Sequence, residues 1–159
     1  MKPISFILLF LVIVLSENAC KKAETTDTPQ QQKRPISIDS MLRCHNFVNA
    51  DSSSIRNALI TKWQWKFISC YWKPENANSE DFKTLTIEFK QNDSLEVRIN
   101  NVTTQKSSWY LKRLADGFYK LISSSFIPQL SGKVLVCGDQ LLFYDTYVDG
   151  CDNYFKKLK

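Results

Sequence analysis

Cys44 and His45 are adjacent, a thiol beside an imidazole, the pair of groups from which a nucleophile and its base are made. Adjacent residues point in different directions, no oxyanion motif accompanies them, and a cysteine held in a disulfide is not a thiolate. His45 is also the one histidine in the chain. That removes most His-dependent enzyme designs, and without a second histidine or a Cys-x-x-Cys spacing it removes most zinc sites as well. Asp145, Asp149 and Asp152 bracket a loop near the C-terminus and carry oxygens suited to calcium. Their spacing does not fit a calcium loop, and Asp at such positions forms turns. No glycine-rich phosphate loop is present, and the four glycines fall in turns or loops. The expectation is a non-enzymatic protein with no metal and no cofactor.

The side chains that remain are suited to apolar binding. Aromatic residues make up 13% of the chain, a composition that favours a β-rich core. Trp65, Phe67, Leu85, Ile87, Val97 and Trp109 fall on alternating positions of three predicted strands and a fourth segment. In a small barrel they either line a ligand cavity or fill the interior. Tyr71, Trp72, Phe126 and Tyr147 fall in connections at one predicted end. They form either a binding rim or a layer packed over the barrel.

The elements that position these residues follow from periodicity. Ile38–Val48 has apolar residues at helical spacing with Asp39 or Ser40 as a cap, and Asp51-Ser52-Ser53-Ser54 signals a second helix over about 53–60. From Lys62 the period becomes two: Trp63, Trp65 and Phe67 alternate with Lys62, Gln64 and Lys66. Strands are predicted at 62–72, 82–90, 94–100, 105–114, 118–124, 133–137, 140–145 and 152–158. A three-residue loop, Gln91-Asn92-Asp93, pairs Phe89 with Leu95 and Ile87 with Val97, keeping apolar opposite apolar. Asp116-Gly117 and Gly138-Asp139 are further turns, the latter pairing Val134 with Phe143 and Val136 with Leu141. Eight strands in up-and-down order close into a barrel and so remove their edges. The expected fold class is therefore all-β: an eight-stranded antiparallel up-and-down barrel with a short helical N-terminal prefix.

The N-terminus carries an address. Met1-Lys2-Pro3 is a short positive region, and the apolar run from Ile4 to Leu15 is the length of a signal-peptide core. Ser16-Glu17-Asn18-Ala19-Cys20-Lys21-Lys22 then resembles a bacterial lipobox, with Glu17 departing from the usual apolar residue. It is most similar to the relaxed lipoboxes of Bacteroidota lipoproteins. Residues 1–19 are thus expected to be a lipoprotein signal peptide, Cys20 the lipidated residue, 20–37 a flexible tether, and 38–159 the barrel domain with its helical prefix over 38–61. Each buried methylene of an acyl chain contributes about 0.8 kcal/mol, so multiple chains anchor firmly. The formal net charge of +5 is scattered along the chain, which argues against nucleic acid as a partner.

The order of helical prefix, Trp-bearing first strand and eight-strand meander resembles the lipocalin-like (calycin) lipoproteins of Bacteroidota over about residues 53–159. Thr61-Lys62-Trp63-Gln64-Trp65 stands where that family has G-x-W-x-W, with Thr61 replacing glycine. Asp149-Gly150-Cys151-Asp152-Asn153-Tyr154-Phe155-Lys156-Lys157 stands at the final loop and strand, with a lysine where many lipocalins place an arginine against the first-strand tryptophan. A lysine stem can cover that indole but lacks the guanidinium fork. The resemblance implies a barrel with an open mouth, a small hydrophobic ligand, and an outer-membrane location through the anchor. The rival reading is a closed barrel whose loops dock another envelope protein.

With Cys20 lipidated, Cys44, Cys70, Cys137 and Cys151 remain, and three pairings are open in an exported chain. Barrel closure sets the first and last strands side by side, antiparallel, with Lys62 near Leu158 and Cys70 near Gly150 and Cys151. Cys137 ends a strand at the opposite end, roughly 20 Å away and beyond reach. The expected bridges are Cys70–Cys151 and Cys44–Cys137.

Overall fold

The computed structural model describes residues 37–47, 51–70 and 84–159. The expected signal peptide, the expected lipidation site Cys20, the expected tether up to residue 36, and Tyr71 and Trp72, expected at the rim, lie outside the described residues. No described helix is long and apolar enough to cross a membrane.

Helix α1 (Ile38–Phe47) starts two or three residues earlier than Asp39 or Ser40 would set it, because the Ser40 amide donates to Ser37 Oγ at 3.2 Å. Helix α2 (Ser52–Leu59) is capped by Asp51, whose Oδ1 accepts from the Ser54 amide at 2.7 Å. The chain then enters eight strands: β1 (Lys62–Cys70), β2 (Leu85–Phe89), β3 (Ser94–Ile99), β4 (Val102–Arg113), β5 (Tyr119–Ser123), β6 (Lys133–Cys137), β7 (Gln140–Tyr144) and β8 (Cys151–Lys157). Each is antiparallel to the next, and β8 returns to β1, so the sheet is a closed up-and-down barrel. Phe89 pairs with Leu95 and Ile87 with Val97, and across the later turn Val134 pairs with Phe143 and Val136 with Leu141, all as the turn lengths predict.

One connection is tighter than expected. β4 begins at Val102, not near 105, because Asn100 and Asn101 both take positive φ (51° and 63°) and make a two-residue hairpin with Ile99 opposite Val102. Asparagine tolerates this region better than other side chains, which is why an Asn-Asn pair serves here.

The lower end of the barrel, where the chain enters at Lys62, is plugged. Ile55 and Leu59 of α2 join Trp63, Ile87, Phe89, Leu95, Phe143 and Phe155 in one buried cluster. Trp63 is fully buried, and its indole N–H donates to Leu59 O at 3.0 Å. Phe89 meets Trp109 edge-on at 5.2 Å and Phe143 meets Phe155 at 5.8 Å. Arg56 clamps the plug to the β2–β3 turn, donating to Asp93 Oδ1 and Gln91 O, each at 2.7 Å. Trp63 stands opposite Lys157 in register. Neither terminal lysine covers its ring, since α2 occupies that side; among the described residues the lysine seated over aromatic rings is Lys133, above Tyr147 (4.0 Å) and Phe118 (4.9 Å).

A bulge in β1 changes which side of the sheet its upper half faces. Trp65 pairs with Phe155, but Phe67, not Lys66, pairs with Tyr154. The inserted Lys66 inverts the alternation. Phe67 is therefore turned to the outer face, where it packs with Met41, Leu135, Leu142 and Tyr154 beneath α1, and Ile68 turns inward in its place. This corrects the expectation that Phe67 continues the inward row of Trp63 and Trp65. The same shift completes a bridge. Without the bulge Cys70 would oppose Gly150; with it, Cys70 opposes Cys151 and the two are bonded. Cys44 and Cys137 form the second bridge.

Helix α1 lies over a gap in the barrel wall. β5 and β6 share one ladder pair, Lys120 with Lys133, so below that point β6, paired with β7 on its other side, lacks a strand partner on its β5 side. The buried His45 fills the place: its Nδ1 accepts from the Val136 amide at 3.3 Å, and its ring stacks on Phe118 at 5.9 Å. A buried backbone amide left without a partner is costly, which gives the imidazole a structural role. Burial holds the His45 pKa below its ordinary 6.5. The unfolded chain therefore binds more protons than the folded one at mildly acid pH. The stability contributed by neutral His45 is present above its ordinary pKa and is lost as pH falls through the window below it. The urea midpoint is expected to drop between about pH 7.5 and about pH 5, a range set by the histidine titration. The drop should shrink in His45→Gln, whose amide oxygen can accept from Val136 without titrating; an equal drop in both proteins would remove His45 as its source.

Candidate functional site

At the end opposite the plug, the interior is not completely filled. A cavity of about 200 Å³ opens there. β1 contributes Trp65 and, through the bulge, Ile68; β8 contributes Cys151 and Asn153; the β5–β6 loop contributes Phe126 and Pro128.

Each wall is held by local chemistry. In the β5–β6 loop, buried Ile127 and Leu130 anchor the turn Pro128–Leu130 to the core. Gln105 Nε2 donates to Phe126 O at 3.3 Å, and the Ser125 backbone amide to Ser107 Oγ at 3.0 Å. Phe126 is left 79% exposed at the border of the cavity. In the β7–β8 loop, the carboxylate of Asp152 accepts from the Asp145 and Thr146 amides, both at 2.9 Å, and from the Thr146 hydroxyl at 3.0 Å. Asp152 is thus spent on shaping the loop. Asp149 takes positive φ (61°) at the end of the turn Thr146–Val148. These two acids have the turn-forming role expected of them.

Asp145 differs. The residue borders the cavity, and its side chain lies so close to Gly150 that a Cβ on residue 150 would run into the carboxylate. A glycine is needed at 150 for this approach. Burial raises the Asp145 pKa from its ordinary value; the nearby charge of Asp152 acts in the same direction, while Lys120 opposes it. Asn153, 2% exposed, is a further polar residue in the wall, beside Gln129 and Ser131. Its Nδ2 donates to Cys151 O at 3.1 Å, which fixes the orientation of the amide because a carbonyl only accepts. The opposite atom, Oδ1, is buried without a hydrogen-bond partner.

Of the residues expected to contact a ligand, Trp65 and Phe126 border this cavity. Leu85, Ile87, Val97 and Trp109 are packed in the barrel core below it. Phe67 faces outward for the reason given above. Tyr147 lies outside as well, with its ring 5.4 Å from Tyr144 and the Lys133 ammonium over it. Sequence reasoning missed Ile68, Asp145 and Asn153. Counting back by two from Phe155 places Asn153 inward, but the apolar pair Tyr154-Phe155 leaves the choice of face ambiguous until the register with β1 is known. Ile68 carried no signal, because nothing in the local sequence marks Lys66 as a bulge. Comparison with known proteins finds no matching family model, no similar curated protein and no matching solved structure.

Proposed function

We propose that this protein is a lipid-anchored barrel of the bacterial cell envelope that binds a small, mainly apolar molecule at the barrel mouth. The observation that carries this reading is the cavity of about 200 Å³ bordered by Trp65, Ile68, Phe126 and Pro128, apolar surface that the surrounding side chains leave uncovered. By proportion to a cavity of about 150 Å³ that takes up benzene, it suits a ligand of roughly eight non-hydrogen atoms. That is smaller than the ligand a wholly open barrel would take, in keeping with the filled lower half. The lipobox-like segment at Cys20 and the lipocalin-like order of elements support the anchor and the envelope location. The reading includes no catalytic step: Cys44 is held in a disulfide and His45 Nδ1 accepts the Val136 amide.

Native mass spectrometry of the protein purified from its own cells tests this. A bound mass is expected in the wild type and not in Ile68→Trp, whose larger side chain would occupy the cavity. A bound mass unaffected by this substitution would place the ligand elsewhere. No bound mass, together with no uptake of apolar probes, would favour the second reading, a barrel that docks another envelope protein through its loops. Ile99, Val102, Phe126 and Val148, all exposed around the mouth end, favour that alternative.

A further inference from the structure

Helix α1 is tied to β6 twice, by different chemistry. One tie is covalent, the Cys44–Cys137 bridge. The other is the bond in which His45 Nδ1 accepts the Val136 amide at 3.3 Å. The rest of its seat is apolar: Met41 packs with Phe67, Leu135, Leu142 and Tyr154. These side chains form a row across four strands, since Leu135 pairs with Leu142, Leu142 with Tyr154 and Tyr154 with Phe67. The ladders that carry the row close the barrel without the helix. A helix of ten residues is marginal in water by itself, so the order of α1 depends on this docking.

In a neutral imidazole one ring nitrogen carries a hydrogen and the other accepts. Here Nδ1 accepts, so Nε2 carries the hydrogen and an incoming proton has to enter at Nδ1. There it meets the Val136 N–H, two donors face each other, and the bond is lost. The same proton sets a charge in a buried site. The charged groups on the elements packed around α1 do not offset it. They are Asp39 and Arg43 of α1 itself, Lys66 of β1, Asp116 and Lys133, Asp139, and Asp152 and Lys156 of β8. Asp116 is bonded to Lys133 at 2.7 Å, Asp139 to Lys156 at 3.6 Å, and Asp152 to its loop amides. No carboxylate pairs with His45.

We propose that His45 is a proton-operated latch: proton uptake at Nδ1 frees α1 while the eight strands stay closed and the Cys44–Cys137 bridge keeps the helix leashed. Release uncovers the apolar row and the edge of β6 at Val136. The latch does not depend on the cavity being a binding site. Burial holds the docked imidazole below its ordinary pKa of 6.5. Release restores that value, so at about pH 5 proton binding favours the released helix by up to about thirtyfold.

The test is amide hydrogen exchange of the full chain at about pH 7.5 and about pH 5, corrected for intrinsic rates, with and without mild urea. Protection across residues 38–47 and at Val136 is expected to fall between the two by at least about threefold and at most about thirtyfold. That fall should depend little on urea, because a local opening exposes little surface. Residues 94–99 of β3 should stay more protected than α1 at both pH values and lose protection steeply with urea. In His45→Gln, α1 should keep its protection at the lower pH. Loss of α1 protection only together with β3, or an equal fall in His45→Gln, would overturn the latch. Should His45→Gln leave α1 undocked at both pH values, the wild type decides alone. Its fall must run from the ordinary histidine pKa down to the midpoint at which the His45 Cε1–H signal titrates, and a fall outside that window overturns the latch.

Discussion

Replacing Cys70 and Cys151 together by alanine is expected to lower the stability of the barrel by up to about 4.5 kcal/mol. The bridge closes a loop with a sequence separation of 81 residues, and loop closure of that length removes about this much free energy from the unfolded chain in the entropic account. Partial structure in the unfolded state would reduce the figure, and about 2 kcal/mol is the least expected. The bridge also has a local role that its partner lacks. It joins β1 to β8 beside the cavity, which Cys151 itself borders. The Cys44–Cys137 bridge, with a separation of 93, ties α1 to the end of β6 at the plugged end. Removing either pair should therefore lower the urea midpoint to a similar degree. Only loss of Cys70–Cys151 should speed amide hydrogen exchange across residues 67–70 and 151–154. A midpoint unchanged in the Cys70→Ala/Cys151→Ala protein would contradict the entropic account. Faster exchange at the mouth on removing Cys44–Cys137 alone would contradict the local one.

Trp63→Ala is the second large effect. Among the described residues Trp63 is the largest fully buried side chain, and truncating such a residue costs about 3–5 kcal/mol through lost burial and the cavity left behind. It also leaves the buried Leu59 carbonyl without its indole donor. Because Trp63 sits where α2 meets the barrel, the loss should release the plug as well as weaken the core. Trp63→Phe keeps most of the ring and loses the N–H, so its cost should be nearer the value of one hydrogen bond and a small void, about 1–2 kcal/mol. Equilibrium unfolding in urea of both variants separates the contributions. Equal destabilisation by phenylalanine and alanine would mean that the hydrogen bond to Leu59, not ring burial, holds the plug.

The two substitutions act on the two ends of the same strand, and the ends differ in how readable they were. At the lower end the alternation Lys62-Trp63-Gln64-Trp65 marks Trp63 and Trp65 as inward, and the structure buries both. Antiparallel closure then sets the lower end of β1 beside the end of β8, where the Leu158 amide donates to Lys62 O at 2.9 Å. At the upper end the same alternation misplaces Phe67, because one inserted residue reverses every later face. A single strand gives no sign of this. The bulge is visible only when β8 is laid against β1 and Phe67 is found opposite Tyr154.

The cavity shows the same division. Trp65 and Phe126 were recognisable as aromatic residues available for binding, but so were Leu85, Ile87, Val97 and Trp109, which are packed into the core. Strand periodicity tells which residues face inward; it does not tell how much space the facing side chains leave. That space depends on volumes brought in from several strands, on the α2 plug, and on loops whose path has no periodicity. Asp145 and Asn153 were equally hidden. Asp145 is one of three loop aspartates in the sequence, and only the folded loop shows that Asp152 is consumed by its amides while Asp145 is left at the cavity wall.

By itself, then, the sequence determined the strand order, the closed barrel, the hairpin registers around Asn92 and Gly138, the helical prefix and both disulfide pairings. These follow from local alternation, turn chemistry and the reach of a covalent bond, each a constraint carried by a few residues close in sequence or by barrel closure. Tertiary structure alone decided that His45 substitutes for a missing strand partner on one side of β6, that Phe67 faces outward while Ile68 faces in, and that Asp145 and Asn153 border one cavity. Those features depend on atoms from distant segments meeting across the sheet, where one extra residue in β1 is enough to exchange inside for outside.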